Sequence, residues 1–228
     1  MSDPLIIFDC DGVLVDSEPL AAIAYERAYN KHGLALTRDI VGQCIGMKQA
    51  DIIVRIEELT GHAFPAHAED DIWLETKALL EEELQPTQGI LPFLSNLQTA
   101  RCVASSSSME RIALSLRVAG IAEFFADNVF STSMVKNGKP APDIFLFASD
   151  KLGSEPASSV VIEDSPFGVQ GAVAAGMTAI GFTGGGHTFN GHAEKLLSAG
   201  AHATCANWNE VQTELTRRGF IRETVADI

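Results

Sequence analysis

Apolar residues come in short runs along this chain, separated by polar stretches with helical spacing. Leu5–Phe8, Cys102–Ala104, Val129–Phe130, Val160–Ile162 and Thr178–Phe182 read as strands, and Ala203–Cys205 offers a sixth. Helical patterns fill the intervals at Met109–Val118, Pro142–Leu152 and Pro166–Ala175, with Gly120, Gly153 and Gly176 as stop signals. Strands alternating with helices predict an α/β fold, a parallel sheet with covering helices.

One interval breaks the rhythm, because more than ninety residues separate Phe8 from Cys102. Ser17 and Pro19 open a helix there that Gly33 ends, and further helical patterns occur at Thr37–Cys44, Ala50–Thr60 and Ala66–Leu84. Asp70, Asp71, Glu81, Glu82 and Glu83 read as solvated faces of these helices. Pro86-Thr-Gln-Gly89 reads as a return hinge, after which the helix Ile90–Thr99 rejoins the sheet. The expected organisation is a core domain of residues 1–16 and 87–228, with a helical domain of residues 17–86 inserted after the first strand.

Composition narrows the function without naming it. The 228 residues suffice for one core plus a small insert, and 46% hydrophobic with 20% charged residues is ordinary for a globular chain. A formal net charge of −14 makes nucleic acid and anionic membranes poor partners. An anionic substrate would therefore need a locally cationic site. The four cysteines lack any CxxC pair and read as reduced, buried thiols, which fits a cytoplasmic protein. The N-terminus lacks the features of a signal peptide. The longest stretch without Asp, Glu, Lys or Arg, Ser165–Ala193, is broken by glycines and polar residues and does not read as a membrane span. No internal repeat is visible. A monomer or weak dimer is expected.

In open parallel sheets, ligands bind beyond the carboxyl ends of the strands. Asp9, Cys10, Asp11 and Gly12 come directly after the first strand, and Ser105 and Ser106 after the second. Gly138-Lys139-Pro140 lies beyond the third, and Glu163, Asp164 and Ser165 end the fourth. Each motif alone is ordinary loop chemistry, whereas all four in order, at one predicted edge, point to a single site. A carboxylate nucleophile needs a nearby cation and an acid partner. Asp9, Asp11 and Asp164, with Glu163 beside them, make an oxygen-rich set suited to Mg²⁺. Ser107 to Glu110 fits a capping box with Ser107 as N-cap, which leaves the Ser105 hydroxyl and the Ser106 N–H as a phosphate seat. Crowding of like charges favours a proton on Asp11, which with Lys139 and a divalent ion brings the site close to neutral.

The segments FDCDGVLVDSE (8–18), Ser105, Lys139 within GKPAPD, and IEDSPFG (162–168) resemble the haloacid dehalogenase superfamily. Within it the chain is similar to the beta-phosphoglucomutase and sugar-phosphatase branch, including members of the 6-phosphogluconate phosphatase type. The resemblance implies a Rossmann-like three-layer α/β/α sandwich with a mobile helical cap. It implies phosphoryl transfer from a small phosphorylated metabolite, with Asp9 as nucleophile and Asp11 as acid and then base. Mg²⁺ would be held by Asp9, the Asp11 carbonyl, Asp164 and Glu163, and Ser105, Ser106 and Lys139 would hold the phosphoryl group. Mutases of this branch carry a histidine shortly after the first motif, where this chain has Pro19-Leu20-Ala21, so the expected reaction is hydrolysis. Gly46-Met-Lys48-Gln49 resembles a cap specificity loop, which makes Lys48 and Gln49 candidate substrate readers. His187, after the fifth strand, is a third.

Overall fold

The structure, a computed structural model, describes residues 3–44, 47, 49–66 and 69–222. One sheet holds β1 (Leu5–Phe8), β2 (Ala100–Ser105), β3 (Val129–Ser131), β4 (Ser159–Glu163), β5 (Thr178–Phe182) and β6 (Ala203–Cys205). All neighbours run parallel in the order β3-β2-β1-β4-β5-β6. All six strands stand where the apolar runs predict them, with β2, β3 and β4 slightly longer than read.

Side chains alternate across a strand, and here both faces are covered. Ile6 and Phe8 join the core beneath α5 (Ile90–Asn96), α6 (Met109–Val118) and α10 (Trp208–Arg217). Leu5 and Ile7 join the opposite core beneath α7 (Asp143–Lys151), α8 (Pro166–Ala174) and α9 (His192–Ser198). The four-residue apolar run LIIF is explained by this three-layer α/β/α arrangement, since neither face of β1 meets water. α9 and α10 are helices that the sequence reading does not anticipate.

Between β1 and β2 the chain forms α1 (Glu18–Lys31), α2 (Arg38–Gly42), α3 (Gln49–Thr60) and α4 (Glu69–Glu83). Ala24, Tyr25, Ala28 and Tyr29 recur at helical spacing and give α1 its buried face. These helices bury a core of their own, in which Tyr29 stacks on Phe64 at 4.3 Å and Ile56 and Ile72 are enclosed. Leu20, Leu79, Leu80 and Leu84 face the other way and pack into the sheet's core.

The chain enters and leaves this helical excursion at one place. Asp16 N–H donates to Gln85 O at 3.0 Å, and Thr87 N–H to Leu14 O at 3.1 Å. The Thr87 hydroxyl donates to Val13 O at 2.6 Å and accepts from the Trp208 indole N–H at 3.0 Å. Gly89, with φ of 93°, then turns the chain into α5. Trp208 sits among Phe182, Phe93 and Phe8, with ring centroids 4.8, 4.9 and 6.0 Å away. Trp208→Ala would leave a cavity and remove the indole donor from the Thr87 hydroxyl, which keeps its bond to Val13 O. It is expected to cost about 3–5 kcal/mol in urea unfolding, and a loss under 1 kcal/mol would show that this cluster does not anchor the hinge.

Candidate active site

Asp9 is the first residue beyond β1, at the point where the sheet order reverses between β2 and β4. Its N–H still donates to Ile162 O at 3.0 Å, so the ladder fixes its backbone. The chain then turns sharply: Gly12 N–H donates to Val15 O at 2.8 Å, with Gly12 at φ 75°. A Cβ at Gly12 would also overlap the Asp164 carboxylate, so the turn needs glycine for its conformation and for space.

Asp9, Glu163 and Asp164 are buried together, each offering an oxygen within 4.8 Å of the others. Lys139 binds the group from the far loop. Its Nζ donates to Asp9 Oδ1 at 2.6 Å, to Glu163 Oε1 at 2.6 Å and to Ala104 O at 3.0 Å, using all three ammonium donors. Glu163 Oε2 accepts from the Ser165 N–H and hydroxyl, at 2.9 and 3.0 Å. Burial pushes the Asp9 carboxyl up, Lys139 opposes this, and the neighbouring carboxylates add to it. Burial and Glu163 push the Asp164 carboxyl up in the same way. Asp164 Oδ2 is buried with no hydrogen-bond partner among the described residues. An unsatisfied oxygen in a crowded carboxylate set fits a divalent cation with oxygen ligands.

Asp11 lies in a different environment. Ser17 Oγ and the Arg111 guanidinium donate to its Oδ1 at 2.6 and 2.7 Å, and Ser107 Oγ donates to its Oδ2 at 2.6 Å. Burial pushes the Asp11 carboxyl up, but Arg111 and the two serine hydroxyls together carry it below its ordinary value. The sequence-based expectation that crowding leaves a proton on Asp11 is therefore not met in the chain itself. Arg111, which sequence reasoning missed, supplies the positive charge that the proton was to supply. Four carboxylates then face two cations, and the remaining deficit is the charge of one divalent ion.

The serine run differs from expectation by one residue. Ser108, not Ser107, is the N-cap of α6, and it accepts from Arg111 N. Ser107 is left free to bond Asp11, and its N–H donates to Ser105 Oγ at 3.0 Å. Ser17 occupies the N-cap position of α1 but makes no side-chain cap there, because its hydroxyl is on Asp11.

Asp9, Asp11, Ser105, Ser106, Lys139 and Glu163 line one cavity at this edge together with Glu18, Tyr25 and Arg111. Burial, Asp11 and Asp164 push the Glu18 carboxyl up to about 7. A cleft of about 480 Å³ continues outward between α3, α4 and the loops after β2 and β3, sharing Tyr25, Met47, Ile52 and Arg111 with the cavity. His187 lines neither space. Its Nε2 lies 2.9 Å from Asp164 Oδ2, off the line of a hydrogen bond, so it abuts the carboxylate cluster rather than the cleft. Burial pushes its imidazole below the ordinary value. Lys48 lies outside the described residues, and Gln49 begins α3.

The sequence model for haloacid dehalogenase-like hydrolases matches residues 4–176. A phosphorylated carbohydrates phosphatase of Thermotoga maritima is 32% identical over 202 residues, covering 87% of this chain and 92% of that one. Hexitol phosphatase A of Escherichia coli is 35% identical over 184 residues, covering 76% and 80%. A haloacid dehalogenase-like protein of unknown function from Agrobacterium tumefaciens superposes with a TM-score of 0.83 at 35% identity, covering 95% of this chain and 99% of that one. The matched segment runs from β1 past Asp164 and takes in the whole carboxylate–lysine cluster, and the chain belongs to the haloacid dehalogenase-like hydrolase family.

Proposed function

We propose that this protein is a Mg²⁺-dependent phosphatase of small phosphorylated carbohydrates that works through an aspartyl-phosphate. The observation that carries this reading is the pairing of Asp9 with Lys139 at 2.6 Å, two residues from a separately held Asp11. Asp9 attacks phosphorus in line with the departing oxygen, and the P–O bond to the alcohol breaks as the Asp9 O–P bond forms. Asp11, ionised in the free chain, takes a proton from solvent as the phosphate dianion enters beside it and gives that proton to the departing alkoxide. It then takes a proton from the water that hydrolyses the acyl phosphate and regenerates Asp9. Ser105 and the Ser106 N–H support the phosphoryl oxygens. Lys139 turns a donor toward them as Asp9 gives up its charge to phosphorus, and Glu163 keeps that lysine in place.

The Asp9 and Asp164 carboxylates and the Asp11 carbonyl would hold Mg²⁺, which when bound neutralises the phosphoryl oxygens and lets a dianion approach four carboxylates. Residues 17–86 act as the cap that closes over the leaving group. Hydrolysis is favoured over mutase chemistry because no histidine lines the cavity or the cleft among the described residues, and Ala21 lines the cavity wall.

The test is phosphate release from a panel of sugar and polyol phosphates, with and without Mg²⁺. Release that stops on chelation and returns with Mg²⁺ is expected. An isomerised sugar phosphate without free phosphate would establish a mutase. Binding without turnover would establish a non-catalytic phosphometabolite module.

A further inference from the structure

We propose that Arg111 and Glu18 form a donor–acceptor pair that reads the leaving group, and that they select an uncharged polyhydroxy alcohol over a sugar acid. This rests on the phosphatase reading above. Arg111 comes from α6 of the core and Glu18 from the first turn of α1, so the pair spans the two lobes that enclose the cavity.

Arg111 has hydrogen-bonding capacity left over. One terminal nitrogen is on Asp11, while its Nε is buried with no partner among the described residues. A buried unsatisfied donor costs free energy until something accepts from it, and a substrate oxygen in this cavity can. Glu18 brings the complementary acceptor to the same cavity. A guanidinium beside a carboxylate suits hydroxyl groups, whose oxygen accepts from the first and whose hydrogen is donated to the second. Tyr25, Met47 and Ile52 supply an apolar wall for the C–H faces of such a molecule.

The charge balance argues against an anionic leaving group. The positive charge of Arg111 is already matched by Asp11 at 2.7 Å, so a substrate carboxylate there would meet no net cation and would face Glu18 as well. Glu69, Asp70 and Glu110 line the outer cleft, and Arg111 is the only basic residue lining it among the described residues. Thr76, Ser108 and Ser133 give the same cleft hydroxyls that can exchange hydrogen bonds with a polyol.

Glucitol 6-phosphate and gluconate 6-phosphate isolate the effect, because they share carbon chain and stereochemistry and differ only at the terminal alcohol or carboxylate. At pH 8, where Glu18 is ionised, kcat/KM is expected to favour glucitol 6-phosphate by at least about tenfold. Glu18→Gln keeps an acceptor of the same size and removes the charge, and it is expected to narrow that ratio by about fivefold. A ratio is insensitive to the fraction of folded enzyme, so poor folding of the variant does not mimic this result. Equal or faster hydrolysis of gluconate 6-phosphate by the unsubstituted protein overturns the proposal, as does an unchanged ratio in Glu18→Gln. Turnover of p-nitrophenyl phosphate with neither sugar derivative accepted overturns it while leaving the phosphatase reading in place. Loss of all three activities removes both.

Discussion

Asp9→Asn is expected to abolish turnover, lowering kcat on every phosphorylated substrate by at least about 10⁴-fold, while the chain stays folded. An amide matches the carboxylate in size but is too weak a nucleophile to form the acyl phosphate, so no covalent intermediate accumulates and the remaining groups only bind. Lys139 would keep Glu163 and Ala104 O as partners, so its charge stays compensated. Burial and three neighbouring carboxylates already push the Asp9 carboxyl up, meaning that its charge is costly to hold. Removing that charge is expected to leave the urea unfolding midpoint unchanged or higher. The decisive comparison is kcat by phosphate release beside the unfolding curve. A residual rate within tenfold of the unsubstituted protein would rule out Asp9 as nucleophile, and a collapsed midpoint would assign it a structural role instead.

Lys139→Met should damage both stability and activity. The ammonium is buried and joins two carboxylates and a carbonyl, and methionine fills the volume without the charge. Breaking a buried ion pair by removing one partner typically costs about 3–5 kcal/mol, because the other charge is left uncompensated. Loss of the phosphoryl contact is expected to lower kcat by a further factor of about 10²–10³. The stability loss has a defined pH dependence. Asp9 and Asp164 have folded-state pKa values above their unfolded ones, so their burden grows as pH rises above about 4 and is relieved by protonation below it. Without Lys139 those values rise further. The gap between variant and parent is therefore expected to be largest near neutral pH without Mg²⁺, and smaller in acid or with saturating Mg²⁺. A gap independent of both pH and Mg²⁺ would mean that the lysine stem, not its charge, holds the site.

The gathering of these residues is legible in the sequence because a parallel sheet brings all its strand ends to one edge. The run LIIF needs burial on both faces, and the residues after it must emerge at that edge, beside those that leave β2 and β4. Asp9, Ser105 and Asp164 are singled out by this argument with no side-chain geometry, whereas Lys139, in a loop well beyond β3, is singled out by its Gly-Lys-Pro motif. Arg111 is not. It lies inside a helical pattern whose exposed face also carries charges, and only the approach of α6 to the turn after β1 brings it to Asp11. Ser17 misleads for a related reason, since a serine before a helix reads as a cap, and a carboxylate from another segment competes for its hydroxyl. In the run Ser105 to Ser108 every position can cap, so sequence leaves the register open by one residue. α10 had a readable signal: Asn207 accepts from Glu210 N, and Trp208, Val211 and Leu215 recur on one helix face.

The paired bonds at Asp16–Gln85 and Thr87–Leu14 make the helical excursion a detour with coincident endpoints. Helices α1 to α4 are tied to the sheet at that narrow isthmus, through the leucines packed beneath it, through α4 against α6 and through Ser17 on Asp11, so changes elsewhere on them need not move a strand. Substitutions in α1, α3 and α4 can reshape the cleft beside Tyr25, Ile52 and Trp73 while the residues that follow β1 and β4 stay in place. The direct hydroxyl link from Ser17 to Asp11 is where such reshaping would first be felt as a change in rate.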